Sequence, residues 1–226
     1  MFNKIFFSFV MLSFILISQT SFSDPKKIQI PLSDYKQFAL SSRASGLDPK
    51  TSENRRRLRD GLGTLPTIWG EGEGYAQVRS TAINANLNVP HGWEALEDGK
   101  KLRIFTPDSD VLIIVNWVDT STYGGWEGFK QKFLQQSSYD FSQQKKDNKN
   151  MKLEQFILDE SSFGHKITHV QGEFEEYSLM TFLKSLPEKN GNALRLNLTA
   201  PPEKLDQYIP LLGLLMKDVK VAGSVQ

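Results

Sequence analysis

The sequence predicts an α+β protein, an antiparallel β-sheet with helices packed on both faces, and three neighbouring stretches carry that prediction. Leu87 and Val89 alternate with Asn86 and Asn88 before Pro90-His91-Gly92 turns the chain, which is the two-residue period of a half-buried strand. Asp98-Gly99 is a hairpin signal because both residues tolerate positive φ, so Trp93 to Glu97 and Leu102 to Phe105 are expected to pair antiparallel. Val111 to Trp117 reads VLIIVNW, apolar on both sides, as suits a central strand covered above and below. A single sheet with layers on its two sides accommodates all three.

Taken in order, the chain opens with Lys4 and an uncharged apolar run, Ile5 to Ile17, too short to span a bilayer comfortably. Ser21-Phe22-Ser23 places small residues where a signal peptidase needs them, so residues 1–23 are expected to be an export signal. Without cysteine among its 226 residues, the chain has no disulfide, no thiolate chemistry and no residue for lipid attachment. A chain of this length buries enough apolar surface to do without them. Lys4 is the only charge before Asp24, so the remaining chain has 27 − 1 = 26 basic and 26 acidic residues, a balance that argues against nucleic acid as the partner. No membrane-spanning helix is expected after the signal, and the address is secreted, in the first place periplasmic.

Residues 24–75 read as a polar extension with an edge strand near Ile28-Gln29-Ile30 and one short basic helix, capped by Thr51 or Ser52 and closed by Gly61 or Gly63. Arg55, Arg56, Arg57 and Arg59 in that helix form the densest basic cluster and are a candidate partner contact, set against a plain solvated face balanced by Glu53 and Asp60. Gly70-Glu71-Gly72-Glu73-Gly74 suggests a phosphate loop. The suggestion fails because two carboxylates would flank the anion and Tyr75 stands where the last glycine belongs. The stretch is expected to be a flexible turn, with Trp69 beside it as a candidate contact for a ligand or partner.

Residues 76–226 are expected to fold as one domain. Ala76 to Val89 reads as a strand, and Trp126, Phe129, Phe133 and Leu134 recur at helical spacing, an aromatic stripe for the sheet. Ser137 to Asn150 is polar and charged, and is expected to be an exposed loop, with Lys145 and Lys146 as candidate partner contacts. Leu153 to Leu158, Phe163 to Phe174, Tyr177 to Leu186 and Ala193 to Thr199 read as four strands. Pro201-Pro202-Glu203 opens a last helix whose stripe is Leu205, Tyr208, Ile209, Leu212, Leu215 and Met216, with Pro210 expected to kink or divide it. Val219 to Val221 would add a short end strand.

The Pro90-His91-Gly92-Trp93 turn, the meander after it and the helix started by Ala200-Pro201-Pro202-Glu203 resemble the Mog1/PsbP-like superfamily of α/β/α sandwiches, over roughly residues 82–221. That resemblance implies a binding or accessory protein more readily than an enzyme, with another envelope protein as the partner.

Chemistry is sparse in the sequence. Three histidines are present; His91 serves the turn, while His165 and His169 sit four apart on an expected strand. That spacing places them on one face but about 13 Å apart, too far to share an ion. No cofactor, metal or catalytic residue is assigned. No nucleophile elbow, His-Glu-x-x-His pair or Walker loop occurs. The reading is therefore a secreted, non-catalytic binding or accessory protein. A small carboxylate-dependent hydrolase is the alternative from another class, since acidic pairs are defined by spatial separation, and a structural envelope component is the third.

Overall fold

The computed structural model describes residues 25–31, 33–40, 63–106, 110–172, 176–186 and 192–221. The expected export signal, residues 1–23, and Arg55, Arg56, Arg57 and Arg59 lie outside the described residues. In chain order the strands are β1 (Lys26–Lys27), β2 (Thr67–Gly72), β3 (Tyr75–Ser80), β4 (Ala85–Pro90), β5 (Glu94–Asp98), β6 (Lys101–Phe105) and β7 (Leu112–Val118). Helix α1 (Trp126–Gln144) follows, then β8 (Lys152–Asp159), β9 (Ser162–Gln171), β10 (Glu176–Ser185) and β11 (Ala193–Ala200), and finally helix α2 (Leu205–Asp218) and β12 (Lys220–Val221).

The expected single sheet is two. Eight strands run in the order β1-β8-β9-β10-β11-β7-β6-β5, and four in the order β12-β4-β3-β2. All the ladders are antiparallel except β1 on β8, a parallel pair at the edge of the large sheet. The hairpin at Asp98-Gly99 joins β5 to β6 as expected, Glu94 opposite Phe105 and Asp98 opposite Lys101. Ala76 to Val89 is not one strand, because residues 81–84 turn the chain and Asn84 adopts φ 45°. The turn is clamped onto the large sheet. Glu97 of β5 accepts the Thr81 backbone N–H at 2.6 Å, and the Trp117 indole of β7 donates to the Ile83 carbonyl at 2.6 Å. Anchoring a turn from outside is what holds the small sheet against the large one.

Two core clusters result. The larger gathers Val78, Leu87, Trp93, Ile113, Met180, Phe182, Leu196 and the α2 residues Leu205, Leu211, Leu212 and Leu215, all buried. The smaller gathers Phe129 of α1 with Phe163, Leu183 and Ala193. Phe182 and Leu183 fall into different clusters, as successive residues of a strand must. Trp93 is wholly buried; its indole N–H donates to the Phe38 carbonyl at 2.8 Å and its ring meets Tyr208 of α2 edge-on at 5.7 Å.

Three further expectations need correction. Thr67–Gly72 is a strand and not a flexible turn: Thr67, Ile68 and Trp69 suit a pleated edge, and Gly70 and Gly72 are where the side chains of Gln77 and Tyr75 lie over the backbone. Ser137 to Gln144 continues α1 instead of looping out. Ser137 and Ser138 return their hydroxyl protons to the carbonyls of Phe133 and Leu134, at 2.7 and 3.0 Å, so both polar side chains are satisfied inside the helix. Pro210 does not divide α2, which runs unbroken from Leu205 to Asp218. Its apolar stripe packs against β10, β11 and β4, and tertiary packing of that kind outweighs one lost hydrogen bond.

Candidate functional site

The outer side of the small sheet is set by its register. Thr67 lies opposite Arg79, Arg79 opposite Asn86, and Asn86 opposite Lys220, one cross-strand row over four strands. Beside it Gly70 lies opposite Gln77 and Gln77 opposite Asn88. The intervening residues Ala76, Val78, Leu87 and Val89 point the other way and are buried. The outer row is thus polar by alternation, and its side chains bond one another: Arg79 Nε donates to Asn86 Oδ1 at 3.3 Å, and Asn88 Nδ2 to Asp218 Oδ2 at 3.3 Å.

Trp69 joins this face by alternation, at an irregularity of the strand. Between Ile68, which pairs with Val78, and Gly70, which pairs with Gln77, Trp69 has no partner of its own. Two residues therefore oppose one, the definition of a β-bulge; the indole, two residues past Thr67, lies on the side of Gln77 and Arg79 by alternation, and the bulge brings Gly70 to that side as well. Its exposure is 55%, against 0% for Trp93. The face closes at its far end, where Tyr35 packs on Tyr75 with ring centres 4.8 Å apart. Burial, with the Asp218 carboxylate beside it, pushes the Tyr35 phenol well above its ordinary value, so that hydroxyl stays protonated. Glu73, one of the two carboxylates of the Gly-Glu stretch, is ion-paired with Lys36.

A second concavity lies where α2 begins. About 700 Å³ in volume, it is lined by Asp110, Thr168, His169, Glu176 and the Pro201–Lys204 turn. His169 Nδ1 meets Glu176 Oε1 at 2.7 Å, and Lys204 Nζ meets Asp110 Oδ2 at 2.6 Å. The imidazole reaches this cleft because His169 adopts φ 61°, a backbone conformation outside the strand region. The Asn148 amide on its carbonyl, at 2.5 Å, and the Ser178 hydroxyl on its N–H, at 3.3 Å, hold it there.

The expectation that His165 and His169 share a face is therefore overturned. The ladder between β9 and β10 slips between Tyr177 and Leu179, and the extra residue reverses the alternation. His165 lies beneath α1, stacked on Phe133 at 5.1 Å with Nδ1 at 3.0 Å from Ser137 Oγ. Burial lowers its pKa to about 4. The Ser137 proton already goes to Phe133, so His165 Nδ1 must donate to Ser137 Oγ. A nucleophilic serine would need the opposite direction, its own proton passing to the imidazole. This pair holds α1 to the sheet.

Carboxylate chemistry finds no foothold in the two acids with shifted pKa. Asp119 is lowered by the hydroxyl and backbone N–H of Ser121. For Asp159 burial acts to raise it, but hydrogen bonds from Ser162 and Ser161 outweigh burial and leave it lowered. A general acid needs the reverse shift. Among the described candidates from the sequence, Trp69, Lys145 and Lys146, Trp69 is the one on the small sheet. Lys145 lies over the Phe141 ring at 5.3 Å and Lys146 donates to Gln143 at 2.8 Å, both local to the end of α1. Sequence reasoning missed Arg79, Asn86, Asn88 and Lys220. The alternation of Asn86 and Asn88 with Leu87 and Val89 was the available signal.

No protein-family model matches the chain, and no curated protein matches it. Solved structures similar to it include a mutant of protein Mog1, at 12% identity over 67% of this chain and 98% of that one, TM-score 0.48. The Ran-binding protein Mog1p of Saccharomyces cerevisiae follows at 12% identity, 67% and 97% coverage and TM-score 0.46. Cyanobacterial PsbP from Synechocystis gives 10% identity, 70% and 98% coverage and TM-score 0.41. These are Mog1 and PsbP structures, each at 12% identity or less to this chain.

Proposed function

We propose that this chain is an exported, non-catalytic binding or accessory protein of the cell envelope, a sandwich with a helix on each side of its large sheet, whose contact surface is the outer face of the small sheet. The observation that carries the proposal is Trp69, 55% exposed on the edge strand β2 and on the side of Arg79 and Gln77. An exposed indole held on a rigid strand and flanked by arginine is the composition of a binding hot spot. The bulge also interrupts the regular row of backbone groups along the β2 edge, which discourages continuous strand addition and directs contact to the face. Export rests on the apolar run Ile5 to Ile17 and on Ser21-Phe22-Ser23. Among the described residues no helix is long and apolar enough to cross a membrane.

The test is photocrosslinking in the native envelope. A photoreactive phenylalanine derivative is placed at position 69 and, as the comparison, at position 139, where Tyr139 is 60% exposed on α1. Adducts from position 69 and none from position 139 support the proposed face. Adducts of equal yield from both positions, or from 139 alone, contradict it.

A further inference from the structure

We infer that the ligand of this face is a hydroxyl-rich anionic polymer, an acidic polysaccharide. The inference rests on the binding role proposed above and adds the chemistry of what is bound. Three properties of the face lead to it. The first is its amides. Gln77, Asn86 and Asn88 occupy neighbouring positions on β3 and β4; Asn88 gives one N–H to Asp218 and Asn86 Oδ1 takes one from Arg79, and the donors and acceptor lone pairs left over match sugar hydroxyls that both donate and accept. The second is its charge. Arg79 and Lys220 flank Asn86 along one cross-strand row. Of the carboxylates on the small sheet, Asp218 accepts from Asn88, and Glu71, exposed at the β2 edge, pairs with Ala76 and so falls on the other side of the strand from Arg79. Arg79 binds Asn86 through Nε, so among the described residues its two Nη groups are left for a carboxylate.

The third property is its exposed flat aromatic. Trp69 provides an apolar plate of the kind on which the C–H face of a sugar ring packs, and its rigid edge strand orients it beside the amides. A protein partner would ask for more. Protein interfaces are built on a desolvated centre of aromatic and aliphatic anchors. Here one indole stands in a field of hydrogen-bonding side chains, Thr67, Gln77, Arg79, Asn86 and Lys220, without an aliphatic residue in either outer row. The long row crosses three strand spacings, about 14 Å, the length of a short oligosaccharide.

The experiment titrates the full chain with three tetrameric probes of matched length: tetragalacturonate, cellotetraose and tetraglutamate, read by calorimetry. Tetragalacturonate should bind at least tenfold more tightly than the other two, more weakly as salt rises. Trp69→Ala should weaken it at least tenfold, and Arg79→Gln should bring it down to the affinity of cellotetraose. Urea melts of both variants confirm that each remains folded. Tetraglutamate binding as tightly as tetragalacturonate would overturn the inference and point to an acidic polypeptide, and cellotetraose binding as tightly would remove the anionic requirement. If none of the three binds while position 69 still crosslinks in the envelope, the polysaccharide inference falls and the binding face stands. If position 69 fails as well, both fall.

Discussion

The two faces of the four-stranded sheet are made from alternate residues of the same strands, and they share almost nothing else. Inward, Ala76, Val78, Ala85, Leu87 and Val89 are each at most 3% exposed and pack into the larger core. Outward, Thr67, Arg79, Asn86 and Lys220 form a polar row with Trp69 at its margin. Tryptophan shows the same divide: Trp93, in the turn between β4 and β5 and packed in the larger core, is 0% exposed, and Trp69 is 55% exposed. Strand alternation has separated the part of the sheet that stabilises the fold from the part free to make contacts. Substitutions can therefore be assigned to stability or to binding before they are made.

The largest effect belongs to the core into which the inner side packs. Trp93→Ala empties a fully buried site and removes the hydrogen bond to Phe38, and should cost about 3–5 kcal/mol in urea melts. A loss below about 1 kcal/mol would break the comparison at its base, since a packed tryptophan cannot be removed so cheaply. Leu87→Ala, on the inner side of β4, should follow at about 2–5 kcal/mol, while Asn88→Ala next to it should cost far less. Equal losses from the neighbours would mean that the alternation does not divide the sheet as described.

The region beneath α1 sharpens the comparison because it buries polar groups that the small sheet keeps at its surface. His165, held at a pKa of about 4 by burial, takes up a proton more readily in the unfolded chain, where its value is near 6.5. The sign follows directly: stability is full above pH 6.5, falls as pH drops toward 4 and levels off below that, a total of about 3 kcal/mol. His165→Gln should flatten this part of a stability profile measured in urea, and an unchanged slope would mean that His165 is not the group responsible. Ser137→Ala takes away the acceptor of the His165 N–H and should cost about 1–3 kcal/mol at neutral pH.

Much of this architecture was legible. The run from Val111 to Trp117 and the alternation of Leu194, Leu196 and Leu198 announced β7 and β11, because the residues that face the core are set by period alone. The Asp98-Gly99 hairpin was legible for a local reason too, the φ 58° that Gly99 supplies. What stayed hidden depends on partners distant in sequence. Nothing near Thr81 says that Glu97 will take its N–H and clamp the turn between β3 and β4 onto the large sheet. Gly70 and Gly72 looked like a turn because the Gln77 and Tyr75 side chains that need the space lie on the next strand. Ser137 and Ser138 resembled loop residues until their hydroxyls found carbonyls one turn back. His169 left the face of His165 through one backbone angle that the residues from Ile167 to Val170 do not disclose. Of the site, Trp69 was legible as a candidate, but the row from Thr67 to Lys220 required the register.

The most direct test of the account is the unfolding free energy of Trp69→Ala in urea. A contact residue outside the core should change it by no more than about 0.5 kcal/mol. A loss above about 2 kcal/mol would show that the indole is a structural anchor of the small sheet, and the outer face would lose its claim to be the binding surface.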